Sequence, residues 1–264
     1  MKNISNLAFV HENAKIADNV TIDAFAYIEE DVEIGEGCHI HPHVSILNGS
    51  RIGKNNSIHE GAVIGAKPQD FRWKGEYSFV TVGDNNTIRE QVIINRSIYE
   101  GGTTKVGSGS FILAQTHIGH DSEIGDHCVL GNSVKIAGAV KVGSCSILSS
   151  GVIVHEGCEI AEWCLIKGGC RVNGPVPPYV IMAHNPITYN GVNAFVLRKG
   201  GKSEETIDTI AKCYRHIYQS STSAFNALNR IIMDIPECKE RNAIVGFIKD
   251  NNYKVVALPL DLVD

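Results

Sequence analysis

The chain is 264 residues long, 43% hydrophobic and 20% charged, with a net charge of −5. That length covers one large domain or two modest ones, with enough apolar residue to fill a core. The acidic balance excludes a general nucleic-acid binder, whose signature is a basic excess. No apolar run reaches membrane-spanning length, and the opening Met-Lys-Asn-Ile-Ser-Asn-Leu has no secretory apolar stretch. The expectation is a cytoplasmic protein without an integral membrane segment, its eight cysteines present as reduced thiols. They form no C-x-x-C pair, which argues against a zinc ribbon.

A six-residue period runs through most of the chain. Stepping by six from Val10 gives Ile16, Ile22, Ile28, Ile34, Ile40, Ile46, Ile52, Ile58 and Ile64. Val82, Ile88 and Ile94 keep the phase, and so does the series from Val106 through Ile118, Leu130, Val142, Val154 and Val172. Glycine often follows the aliphatic, as at Gly35, Gly53, Gly119 and Gly143, where the chain must turn a corner. Four positions after each aliphatic comes a small or β-branched residue, such as Ala14, Val20, Cys38, Val44, Val134 or Cys164. Two inward residues per six predict short strands around a narrow interior. Three strands make an 18-residue coil, and coils stack as parallel sheets about 4.8 Å apart. Cys38, Cys128, Cys158, Cys164 and Cys170 occupy the small inward slot, so they are expected as buried core thiols.

Two stretches interrupt the repeat. Residues 66–79 contain Gln69, Asp70, Arg72 and Trp73, and residues 95–105 contain Asn95, Arg96 and a glycine pair. Loops that leave a regular scaffold are places for binding groups, and the first loop is the richer. The repeat ends near Pro175-Val176-Pro177-Pro178-Tyr179, because proline cannot continue a ladder. Ser203 then caps a predicted helix with Glu204 and Glu205 in its first turn and a stripe of Ile207, Ile210, Tyr214 and Ile217. Further helices are predicted over 223–233 and 237–249, and an apolar tail over 253–262 is read as a strand or docked segment. The division expected is a β-helix over 1–184 and a helical domain over 185–264.

The densest polar cluster is His117-Ile118-Gly119-His120-Asp121. By the 18-residue coil, His120 stacks over Gly102 and Gly138, with Glu156 one coil further on. An imidazole beside a glycine N–H pairs a general base with an oxyanion donor. Asp121 is placed to orient the imidazole, although neighbours along a strand point to opposite faces, which leaves that role open.

The hexapeptide pattern resembles the left-handed parallel β-helix proteins, usually trimers and often acyltransferases. More narrowly, Thr116-His117-Ile118-Gly119-His120-Asp121, Gln69-Asp70-Phe71-Arg72, Asn85-Asn86-Thr87-Ile88-Arg89-Glu90, Pro177-Pro178-Tyr179 and Gly191-Val192-Asn193 resemble the UDP-N-acetylglucosamine O-acyltransferase family of lipid A synthesis. The resemblance implies an all-β left-handed helix with a small C-terminal helical domain, acting as a homotrimer without metal or cofactor. It implies transfer of a 3-hydroxyacyl group from acyl carrier protein to a UDP-sugar. His120, Asp121 and Gly138 would be catalytic. Gln69, Asp70, Arg72, His117, His155, Glu156, Asn193, Arg198 and Lys199 would bind substrate. Gly168 would leave room for a long acyl chain, and Lys167 and Arg171 would meet the acidic carrier protein.

The chain departs from that family's pattern at Ala139, at Glu156 and Gly157, at Gly200, at Ser97-Ile98 and at Phe195. These positions surround the expected nucleotide-sugar contacts, and a carboxylate near a pyrophosphate is repulsive unless neutralised or turned away. They leave open a different acceptor, such as a 3-amino sugar, or a paralogue that binds without catalysis. A zinc hydratase on the same scaffold would need converging histidines, with His117, His120 and His127 as candidates.

Overall fold

The computed structural model describes residues 2–220 and 222–256. Strands of two to five residues form three sheets of eleven, nine and eight strands, called here the first, second and third. Through the coil, successive strands go to successive sheets, so each sheet is built from every third strand in parallel register. This is a parallel β-helix. The register steps by 18, pairing Asn3 with Thr21, Phe9 with Tyr27 and Lys15 with Glu33.

The aliphatic of each hexapeptide points inward. Ile28, Ile46, Ile64, Ile94, Ile118 and Ile136 form one buried column, each fully shielded from solvent. The small slot is buried as well: Cys38, Cys128, Cys158, Cys164 and Cys170 are free core thiols. The corners need left-handed backbone, met by glycines such as Gly37 and Gly61 but also by His43, Gln115, Asp121, Ala139 and Trp163.

The two interruptions appear as lengthened coils. Ser57 pairs with Thr87, a 30-residue turn of the helix, and Ile93 pairs with His117, a 24-residue one. Both lengths exceed 18 by a multiple of six, so the inward phase survives. The base of the first loop is held by Asn95 Nδ2 donating to Lys67 O at 2.7 Å and by Arg96 N donating to Ala66 O at 3.0 Å.

The outward faces differ. The third sheet presents Lys15, Glu33, Arg51, Lys105, Glu123 and Lys141, a charged ladder with ion pairs such as Lys15–Glu33 at 2.9 Å. The first sheet presents Phe111, Val129, Ile147 and Leu165 in one column.

The first coil, with strands Asn3–Ile4, Phe9–Val10 and Lys15–Ile16, has one strand neighbour in each sheet. The other end is covered. Val180–Ala183 and Thr188–Val192 form an antiparallel hairpin that ends the first sheet, so the boundary expected at 184 falls inside a hairpin. Four helices follow: α1 (Ala194–Lys199), α2 (Glu204–Tyr218), α3 (Ala224–Asp234) and α4 (Lys239–Asp250). Ser203 caps α2 by accepting from Thr206 N, and Ser223 caps α3 from Asn226 N. The predicted α2 stripe packs onto the coil end, where the Tyr214 hydroxyl donates to Pro178 O at 2.5 Å and Tyr189 stacks on Tyr218 at 4.3 Å. Val256 docks through its N–H on Pro175 O at 2.9 Å; residues 257–262 of the expected tail segment lie outside the described residues. No described helix is long and apolar enough to cross a membrane.

Candidate active site

His120 follows the strand His117–Ile118 of the second sheet, at the corner that leads to the third. It is 7% exposed. Its Nδ1 lies 2.8 Å from the Asp121 carboxylate. Strand alternation would have sent the two side chains apart, but Asp121 is a corner residue with φ of 60°. The left-handed turn folds its carboxylate back beside its neighbour's ring. Asp121 also accepts from the Ser97 hydroxyl and from Ile98 N at 3.2 Å, while its own N–H donates to Thr104 Oγ1 at 2.8 Å. Ser97 and Thr104 belong to the second interruption, which therefore braces the orienting carboxylate. Sequence reading took position 97 only as a departure from a pattern. The signal available was that the second interruption lies one coil before the His-Asp corner.

Beneath the imidazole lies Gly138. A methyl group built on it would stand 2.3 Å from His120 Cε1 and 2.4 Å from Nε2, so only glycine fits under the ring. Around it, Ala137 N donates to Val154 O and Ala139 N to His120 O at 2.8 Å. The Gly138 N–H between them donates to no acceptor among the described residues, although the residue is buried. A buried N–H with no partner beside a base is a donor waiting for an anion. A methyl on Gly102 would meet Ser97 and Tyr99 of the second interruption, which folds around that glycine.

The first loop closes the other side. Asp70 Oδ2 is 3.3 Å from His120 Nε2. Arg72 holds Asp70 with its N–H at 2.7 Å, its Nε at 2.9 Å and its Nη2 at 2.7 Å, and reaches Glu156 with Nη2 at 2.5 Å. The Arg72 hydrogen bonds keep the Asp70 carboxyl far below the usual carboxylate range. Glu156, the carboxylate that threatened a bound pyrophosphate, is thus paired with Arg72, a cation it shares with Asp70. Asp70, His120 and Glu156 bring three donor atoms within 4.8 Å. The Arg72 guanidinium already bridges the two carboxylates, so the cation in this cluster is a side chain. His127 stands at another corner, against Gly109, so the three candidate zinc histidines do not converge within the chain.

His117 points outward from the second sheet and lines an open groove with Gln69, Gln91, Gln115 and Lys135. Burial, and then the nearby Lys135, hold its imidazole below the ordinary value. His155 is exposed at the corner one coil beyond Gly138. Gly168 is exposed, with only Ser150 O, at 3.1 Å, within reach of a built methyl. Lys167 meets Asn190 at 3.1 Å, and Arg171 is exposed. Asn193 is 1% exposed and donates its amide to Trp163 O at 2.9 Å, pinning the start of α1. Arg198 pairs with Glu204 at 2.5 Å, and Lys199 lies 4.8 Å over the Phe195 ring. None of Asn193, Arg198 and Lys199 touches His120 within the chain.

A coil of hexapeptides with a buried His–Asp pair over a glycine amide is the arrangement of a hexapeptide transferase. The bacterial transferase hexapeptide family matches residues 13–48, 34–66 and 103–138, and the family described as UDP-N-acetylglucosamine O-acyltransferase, domain 2, matches 176–256. A Sulfurihydrogenibium protein named acyl-acyl-carrier-protein–UDP-N-acetylglucosamine O-acyltransferase is 49% identical over 250 residues, 94% of this chain and 92% of its own. One of the same name from Chlorobaculum parvum is 53% identical over 190 residues, 72% of each chain. The crystal structure of the UDP-N-acetylglucosamine acyltransferase of Bacteroides fragilis matches with a TM-score of 0.94 at 42% identity, covering 96% of this chain and 99% of that one. This chain belongs to the UDP-N-acetylglucosamine O-acyltransferase family, and its coil is the left-handed parallel β-helix.

Proposed function

We propose that this protein transfers a 3-hydroxyacyl group from acyl carrier protein to the 3-hydroxyl of UDP-N-acetylglucosamine, the first acylation of lipid A synthesis, and that it works as a homotrimer. The observation that carries the reading is the buried His120, fixed at Nδ1 by Asp121 at 2.8 Å and seated over the unpartnered Gly138 N–H. With Nδ1–H given to Asp121, Nε2 takes the proton of the sugar hydroxyl. The alkoxide oxygen attacks the thioester carbonyl, and the Gly138 N–H donates to the tetrahedral oxyanion. Collapse breaks the C–S bond, and the imidazolium returns the proton to the leaving thiol. Asp121 and Asp70 flank the imidazolium while it exists.

Gln69, Asp70 and His117 border the acceptor side of the imidazole and are read as sugar contacts, with Arg72, His155 and Glu156 at the rim. Gly168 leaves an open corner for the acyl chain, and Lys167 and Arg171 are read as contacts for the acidic carrier protein. Asn193, Arg198 and Lys199 lie away from His120 in their own chain. Arg198 and Lys199 are read as reaching a nucleotide phosphate from a neighbouring copy, with the buried Asn193 holding the start of their helix, which is one support for a trimer. The other is the outward column of Phe111, Val129, Ile147 and Leu165, an apolar face that association covers.

The test is acyl transfer from 3-hydroxyacyl carrier proteins of several lengths to UDP-N-acetylglucosamine. Wild type should transfer, and His120→Ala should fall by about 10²–10⁴-fold. A His120→Ala enzyme within a few-fold of wild type would remove the base. No transfer by a folded trimer would remove the acceptor.

A further inference from the structure

Away from the acyl-transfer site, the third and fourth coils carry a ladder of imidazoles. His39 and Ser57 are register partners on the outward face of the first sheet, and His41 and His59 follow their strands at the next corner. The rings stack face to face, His39 on His41 at 3.9 Å and His41 on His59 at 4.2 Å.

The two nitrogens of each ring meet different groups. Nε2 of His41 and Nε2 of His59 both converge on the Ser57 hydroxyl oxygen, at 3.1 and 3.2 Å. That oxygen has two lone pairs and accepts from both N–H groups. The Nδ1 lone pairs are then left on the opposite edge, where both face Glu60: His41 Nδ1 is 3.9 Å from one carboxylate oxygen and His59 Nδ1 is 3.7 Å from the other. One nitrogen tied to a hydrogen-bond acceptor, and the other aimed at a shared point beside a carboxylate, is how ligating histidines are held. The three donors lie within 4.8 Å of one another. Within the single chain both rings are about one-fifth exposed.

We propose that His41 Nδ1, His59 Nδ1 and Glu60 bind one divalent first-row transition-metal ion, Zn2+ being the reference case, with a water in the fourth position. Two imidazoles and one carboxylate suit this class, whereas Ca2+ and Mg2+ prefer all-oxygen shells. Desolvation holds His41 and His59 below the ordinary imidazole value, which keeps both rings in the neutral, ligating form near neutral pH. Arg89, the cation nearest His59 on the following coil, is engaged by Glu90 at 2.6 Å. On the other side Asp23 holds His39 at 2.7 Å, and Asp23, His39 and His41 form a second donor set that shares His41. His41 is therefore common to every arrangement.

The experiment titrates the metal-free protein with Co2+, followed by its visible d–d absorption, and with Zn2+ by calorimetry. Wild type, His41→Ala, His43→Ala and His120→Ala are compared. The expected result is about one ion per chain, affinity weakened at least about tenfold in His41→Ala, and little change in His43→Ala, whose ring stacks on Phe25 outside the ladder. Binding should persist in His120→Ala, which dismantles the other donor group. A thermal melt of His41→Ala guards against misfolding, and Glu60→Gln gives a second, milder loss of affinity. The proposal is overturned if wild type takes up no ion, if His41→Ala binds as wild type does, or if only His120→Ala abolishes binding.

Discussion

At the scale of single residues, the site depends on a glycine that has no room to be anything else. Gly138→Ala should push the His120 ring off its seat while leaving the coil intact. The expected outcome is a fall in kcat of about tenfold or more with a modest change in KM, checked against an unchanged oligomer. Arg72 and Glu156 form the second dependence. They are 84 positions apart in sequence, and no period in the chain links a loop residue to a corner. Arg72→Ala should raise the acceptor KM by about tenfold, because Asp70 loses every side-chain partner that ionises it and aims it at His120. Glu156→Gln should cost less, because Asp70 keeps Arg72; equal effects would mean the loop is set by Glu156 alone. The sequence made His120 and Gly138 legible because 18 residues separate them, one coil. It left Asp121 open because alternation is a strand rule, and the residue sits at a corner with positive φ. Ser97 escaped because its contact is made by the irregular part of the second interruption, and Thr104 because it sits in the strand that resumes the repeat after it.

At the scale of elements, each hexapeptide contributes one aliphatic to a continuous column, and each is replaceable only at the cost of a void. Ile136→Ala, fully buried between neighbouring coils, should destabilise by about 2–5 kcal/mol in chemical denaturation. The strands and the capped helices were legible as elements because inward aliphatics at a fixed step and Ser203 and Ser223 before polar first turns are local signals. The closing hairpin was not, since its second strand Thr188–Val192 has no repeat character and pairs antiparallel. The second sheet also carries a pH dependence through His117. Its folded pKa is depressed by burial, so the unfolded chain binds the proton more readily once pH falls through about 6.5. The stability it contributes is present above that value and lost as pH falls toward the folded pKa. The melting temperature should drop between pH 7.5 and pH 5.5, and His117→Asn should narrow the gap; an unchanged gap would assign the dependence to other histidines.

At the scale of the whole molecule, one outward face is charged and another carries an apolar column, which supports the proposal that a neighbouring copy covers the second. If that column seats the proposed trimer, Ile147→Lys in its middle should give smaller species in sedimentation and abolish transfer, although His120 is untouched. A variant that stays trimeric would move the interface elsewhere. The fold class was legible at this scale because a repeat states its architecture directly. The homotrimer came only from the family resemblance, because the sequence shows which residues face outward without showing what covers them.

Among the described residues the coil is covered at one end only, and this gives the molecule a direction. Each coil touches little beyond its two neighbours, so the stack loses order in sequence and not everywhere together. Loss starts where strands have a single partner, at Asn3, Phe9 and Lys15, and must travel through the coils to reach the hairpin and helices. Amide hydrogen exchange should therefore be graded along the axis, fastest in the first coil and slowest near residues 160–190. The catalytic corner lies well inside that gradient. The histidine ladder lies nearer the open end, where a bound ion would act as a clasp against unwinding.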